Sequence, residues 1–194
     1  MSKSLRKKVR ILNICVLDLS EVQTPTDMEE VNFDLEEKFL KADALIGENR
    51  LSEAARLLEL ILSDAPDFGK AHNHMGWLFE TKFKNLHRAE EHYKLALKFS
   101  PDYTAAYYNY AYLLSSLRKF NELEALLKEC IRVPGINYAT IYNEYALMRE
   151  AQGEIDDAIH YFKLHIKNSF DLKSIETASD AIRRCERKKQ LLGV

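Results

Sequence analysis

A chain of 194 residues, 46% of them hydrophobic, can bury a core and is long enough for one domain or a short repeat array. Six glycines and four prolines among many Leu, Ala, Glu and Lys favour an all-helical chain, and a formal net charge of -2 removes any global electrostatic case for nucleic acid. Cys15, Cys130 and Cys185 are far apart, odd in number and form no CxxC pair. This excludes a disulfide framework and a cysteine metal site, and points to a reducing compartment, the cytoplasm.

In chain order, residues 1–26 read as a separate arm. Lys3, Arg6, Lys7, Lys8 and Arg10 precede the apolar run from Ile11 to Leu17. Asn13 interrupts that run and no small-residue cleavage site follows, so it does not read as a signal peptide. Val9, Ile11, Ile14 and Val16 are β-branched. The segment reads equally as an extended arm or strand, or as a short helix on the first repeat. A lone strand would need another chain to pair with, which leaves homo-oligomerisation through the arm open. No apolar run approaches the roughly 20 residues needed to cross a bilayer. Pro25, then Thr26 with Glu29 three residues on, predicts a helix starting near Asp27.

From there the chain repeats itself. Small residues flanked by large apolar ones stand at Ala42, Gly76, Ala111 and Ala146, in steps of 34, 35 and 35. A second marker follows at Ala54, Ala89, Leu123 and Ala158, in steps of 35, 34 and 35. Breakers close the units at Pro66, Pro101 and Pro134-Gly135. A small residue at a helix crossing lets two antiparallel helices approach closely. Proline ends the second helix, and neighbouring hairpins must stack because one hairpin cannot bury its own apolar face.

The pattern resembles the tetratricopeptide repeat, W-x2-L-G-x2-Y, then A-x3-F, then P. The second copy reads His72-x2-Met75-Gly76-x2-Phe79, then Ala89-x3-Tyr93, then Pro101. The third reads Tyr107-x2-Tyr110-Ala111-x2-Leu114, then Leu123-x3-Leu127, then Pro134. The fourth reads Tyr142-x2-Tyr145-Ala146-x2-Arg149, then Ala158-x3-Phe162. The first copy, Lys38-x2-Lys41-Ala42-x2-Leu45, then Ala54-x3-Leu58, then Pro66, is the weakest. The predicted fold is an all-α, right-handed solenoid of stacked antiparallel hairpins. Four repeats fill residues 27–170, at about 34–67, 68–102, 103–137 and 138–170. The second copy has one extra residue in its turn, near Lys84-Asn85. The fourth lacks a closing proline and puts His165 where a small residue is usual, so the regular stack should end there. In residues 171–194, Ile175, Ala178, Ile182 and Cys185 form one apolar stripe, as a C-terminal capping helix requires.

The resemblance implies that the first helix of each hairpin lines a concave face. Three residues before each small residue stand Phe39, Asn73, Tyr108 and Asn143. One residue after it stand Asp43, Trp77, Tyr112 and Leu147, and four after it stand Ile46, Glu80, Ser115 and Glu150. Asn73, Trp77, Glu80, Tyr108, Tyr112, Asn143, Leu147 and Glu150 are the candidate partner-binding residues. Aromatic rings supply amphipathic area, and amides suit a peptide backbone. Tyr110 and Tyr145, on the other side of the helix, should be core. None of these inner positions is Lys or Arg, which argues against the family's carboxylate-gripping subgroup and for a hydrophobic or mildly basic peptide.

No Gly-rich phosphate loop, G-x-S-x-G, H-E-x-x-H or EF-hand loop occurs, so no cofactor, metal or catalytic residue is implied. His72 and His74 point apart on a helix and Cys130 occupies a packing slot, which makes them packed residues rather than ligands or a nucleophile. The reading is a non-catalytic protein–protein interaction module, an adaptor, scaffold or chaperone with a protein or peptide partner. The alternative is nucleic acid, or another acidic partner, on the basic ends, where Arg183, Arg184, Arg187, Lys188 and Lys189 crowd the C-terminus.

Overall fold

The structure, a computed structural model, describes residues 27–193, with side chains from Phe33 onward. The basic and apolar arm, and Thr26 of the helix-start signal, lie outside the described residues. Among the described residues every element is helical: α1 (Asp27–Gly47), α2 (Leu51–Asp64), α3 (Gly69–Thr81), α4 (Leu86–Phe99), α5 (Thr104–Ser116), α6 (Phe120–Cys130), α7 (Tyr138–Gln152), α8 (Ile155–Asn168) and α9 (Leu172–Leu192). They pair as four antiparallel hairpins, α1/α2 to α7/α8, and α9 packs on α8.

The two helices of a hairpin are buried differently, and this sets where a partner can reach. Second helices carry one stripe, such as Ala89, Tyr93 and Ala96 in α4 or Ile155, Ala158, Phe162 and His165 in α8. First helices touch their own second helix and also each other in the order α1, α3, α5, α7. They are therefore buried on several sides; α5 buries Ala106, Tyr107, Tyr110, Ala111, Leu113 and Leu114, and leaves only a strip open. Tyr110 and Tyr145 are core, 6% and 4% exposed.

The small residues stand at the tightest contacts. Ala42, Ala54, Ala89, Ala146 and Ala158 are fully buried, and Gly76 lies against the ring of Tyr93. The turn inside each hairpin also keeps the period: Asn49, Lys84, Arg118 and Gly153 all adopt positive φ, at 60°, 54°, 56° and 84°. Only the fourth copy fills this left-handed position with glycine. Lys84→Gly should therefore stabilise the second hairpin by up to about 1 kcal/mol, because a left-handed side-chain-bearing residue costs about that much. A lower unfolding midpoint for this variant would contradict the argument. The closing prolines serve the next unit too, since the carbonyls of Pro66 and Pro101 accept from His72 Nε2–H and Tyr107 O–H, each at 2.9 Å.

The regular stack ends at His165. Its Nδ1 lies 2.7 Å from the Ala139 carbonyl, which can only accept, so Nδ1–H donates there and Nε2 accepts from the Ser174 hydroxyl at 2.9 Å. This buried ring joins the start of α7 to the start of α9. Asp171 caps α9 by accepting from Ser174 N–H at 2.8 Å. Ala178, Ala181 and Cys185 form its buried stripe.

The far half of α9 is held by charge. Glu150 accepts from Arg184 Nε and Nη2 at 2.9 and 2.7 Å and from Lys188 Nζ at 2.7 Å. These cations, Arg184 first, hold its carboxyl at about 2, below the usual carboxylate range. A folded value below the unfolded one contributes stability above the ordinary carboxylate range, and that contribution is lost as pH falls toward 2. Glu150→Gln should speed amide exchange in 180–192 at pH 7, and the difference from wild type should shrink on acidification. Unchanged exchange at pH 7 would show that apolar burial alone holds the helix.

Candidate functional site

The inner layer carries a ladder of polar contacts between successive first helices. Nε2 of His74 lies 2.9 Å from Oδ1 of Asp43, joining α3 to α1. Asn109 Nδ2 donates to Asn73 Oδ1 at 3.0 Å, joining α5 to α3. At the next step Glu144 of α7 is buried, 3% exposed, and burial first, then the Glu144 charge, raises the Tyr112 phenol of α5 above its ordinary value. His74, Asn109 and Glu144 each stand two residues before the small residue of their helix. They belong on the same edge as the candidate positions and are missing from the predicted set. A signal for them exists in the sequence, because three successive polar residues keep the repeat period there.

Two concavities open along this layer. The first, about 310 Å³, lies between α1, α3 and α5 and is lined by Asp43, Ile46, Asn73, His74, Trp77 and Tyr103 among others. The second, about 370 Å³, is walled by Tyr112, Thr140 and Asn143 on one side and by Asp171, which caps α9, with Lys173 and Thr177 of α9 on the other. Lys173, brought by the capping helix, adds a cation beside first-helix positions that themselves carry no Lys or Arg. Charge patterning within the repeats could not show this, because α9 stands outside them.

The eight candidate residues take different places. Trp77 and Asn73 meet at the first concavity, and Tyr112 and Asn143 meet at the second. Tyr112 and Leu147 are exposed, at 49% and 39%. Tyr108 is half-buried, and its hydroxyl accepts from the Asn137 N–H at 2.7 Å. Glu80 turns to the second helix of its own hairpin and accepts from the Tyr93 hydroxyl at 2.7 Å. Burial, with Glu80 second, raises the Tyr93 phenol far above its ordinary value. Glu150 is taken by α9, as described. Asn73 is only 3% exposed, so it forms floor rather than rim.

His72, His92 and Cys130, buried away from the inner face, are packed and neutral, whereas buried Glu90 is paired with Lys94 and Lys119. His72 Nε2–H donates to Pro66, so its Nδ1 accepts from His92 Nδ1–H at 2.9 Å. Burial lowers both rings, His92 to about 4. Cys130 is fully buried and its thiol is pushed up to about 12, mainly by burial, which keeps it protonated. The C-terminal cations are mostly spoken for. Arg183 pairs with Asp180, Arg184 and Lys188 pair with Glu150, and Lys189 pairs with Asp156.

Comparison with known proteins bears on the fold. A family model described as "tetratricopeptide repeat" matches residues 104–135, which span α5 and α6. No curated protein matches the chain by sequence. Among solved structures the chain is similar to PilF of Pseudomonas aeruginosa, at 16% identity and a TM-score of 0.71, covering 81% of this chain and 71% of that one. It is similar to human IFIT1, solved as a dimer with PPP-AAAA, at 16% identity and 0.68, covering 83% of this chain and 42% of that one. It is also similar to PilW, a type IV pilus biogenesis factor, at 19% identity and 0.62, covering 84% and 80%.

Proposed function

Because this chain is a tetratricopeptide-repeat solenoid, we propose that it is a non-catalytic protein–protein interaction module, an adaptor or chaperone-like scaffold. It holds a peptide segment of a protein partner along the layer formed by α3, α5 and α7, in the cytoplasm, where its buried thiols Cys130 and Cys185 stay reduced. The observation that carries this reading is the spacing of aromatic area along the layer: Trp77, half-buried against the core, at one concavity and exposed Tyr112 at the next, on adjacent first helices. The helices beneath are held by the inter-helix ladder and the core, so the surface is formed before binding and little ordering cost remains.

The similarity to a structure solved with PPP-AAAA raises nucleic acid as a second reading. The pairing of Arg183, Arg184, Lys188 and Lys189 with carboxylates speaks against the C-terminal end as its site. Phosphate binding releases counterions and weakens steeply with salt, so absence of retention on RNA at low salt would remove that reading.

The test of the peptide reading is affinity capture from native extract with the wild type and a Trp77→Ala/Tyr112→Ala variant, both first shown to be folded. Truncating a central aromatic anchor costs about 2 kcal/mol or more, so the variant should lose the bound protein. Equal capture by both chains would place the contact elsewhere.

A further inference from the structure

We propose that the concavity between α1, α3 and α5 takes a lysine or arginine side chain from a basic peptide segment of the partner. The proposal rests on the peptide-binding reading above and adds the charge of what is bound.

Four features converge there. Asp43 is exposed at the rim; one carboxylate oxygen faces His74, and the other accepts no hydrogen bond from the described residues. Trp77 and Tyr103 supply two ring systems to the same cavity; a cation is attracted by an aromatic face, Trp best of all, and the Asp43 carboxylate beside it adds Coulomb attraction. Tyr103 also senses the local field: burial first, then the charges of Asp43 and Glu36, raise its phenol above the ordinary value. No Lys or Arg lines the cavity; the basic group at its wall is His74, with Nε2 2.9 Å from Asp43 Oδ1 and Nδ1 3.2 Å from the Lys70 carbonyl, which leaves the second oxygen of Asp43 open to a bound cation.

The fourth feature is Asn73. Its Oδ1 is occupied by Asn109, while its Nδ2 meets no acceptor among the described residues although the side chain is 3% exposed and lines the cavity. That N–H opens to the cavity, so the backbone carbonyl of a bound peptide can accept from it. The volume, about 310 Å³, is at the small end for a binding pocket and suits one long side chain rather than a folded element. The second concavity differs, because Lys173 already stands in its wall.

Trp77 is the only tryptophan of the chain, so its fluorescence reports on this site directly. The full chain would be titrated with the capped octapeptide Ala-Arg-Leu-Lys-Gly-Arg-Leu-Lys, which does not occur in the chain itself, and with an analogue carrying citrulline for arginine and norleucine for lysine. A saturable change in Trp77 emission is expected with the charged peptide. Affinity should fall by about tenfold or more for the neutral analogue, and similarly for the Asp43→Asn variant with the charged peptide. Equal binding of both peptides, weakened by Tyr112→Ala, would overturn the charge assignment and leave the peptide-binding reading standing. Tight binding of the charged peptide to Asp43→Asn would also overturn it. No binding of the charged peptide would also overturn the charge assignment, and the peptide-binding reading would be decided by the affinity capture above.

Discussion

At pH 8, Glu144→Gln should be more stable than wild type by up to about 3 kcal/mol relative to the same comparison at pH 4.5. Glu144 is 3% exposed on α7, in the layer that faces α5. Burial pushes its carboxyl up to about 7, with the Asn143 amide working the other way. The sign follows from proton counting. An acid whose folded value is raised keeps its proton in the folded state where the unfolded chain has lost it, so stability falls as pH rises from about 4.5 to about 7. Glutamine has nearly the same shape and cannot ionise, so the variant lacks that loss. His92, lowered by burial to about 4, titrates in both chains on a distant helix and cancels in the difference. Urea unfolding of both chains at pH 4.5 and pH 8 measures the effect, and a difference independent of pH would sink it.

The second large effect is expected at Gly76. A Cβ there would stand 2.7 Å from both Cδ1 and Cε1 of Tyr93 and 3.2 Å from the Ala89 carbonyl. The ring cannot swing aside freely, because Tyr93 is fully buried and its hydroxyl is held by Glu80. Gly76→Ala should therefore cost about 1–3 kcal/mol by overpacking, although alanine is the better helix former by about 1 kcal/mol. The two effects separate in a Tyr93→Leu background. With the ring gone, Gly76→Ala should become neutral or stabilising. An equal cost in both backgrounds would show that the close approach is not the reason for glycine. Asn73 and Trp77 ride on the same helix, so displacing α3 should also disturb the first concavity.

The four hairpins were legible because each repeat writes its own packing within about 34 residues. The small residue at the crossing, the second-helix stripe and the closing proline are local requirements, and local requirements show as a period. The left-handed turn positions follow the same period, yet Lys84 and Arg118 hide it, since only Gly153 and, more weakly, Asn49 advertise the conformation by residue type.

The inner surface was legible only as a set of positions. Asn73, Trp77, Tyr112 and Asn143 could be placed on one edge of their helices by spacing alone. The helical period also reaches His74, Asn109 and Glu144, but it does not say which of these side chains meet a neighbour and which stay open. Those choices rest on partners more than thirty residues away: Asp43 for His74, Asn73 for Asn109 and α9 for Glu150. Glu80 is claimed from within its own hairpin, across the turn to Tyr93.

The sequence by itself determined the all-helical class, the repeat period, the number of hairpins and the need for a cap at the C-terminal end. The tertiary structure decided which polar groups of the inner layer are already satisfied, and that α9 brings Lys173 to the surface while neutralising Glu150. The reason is physical: a repeat specifies the contacts it makes with itself, whereas hydrogen bonds and ion pairs between repeats form only once stacking has set two helices side by side.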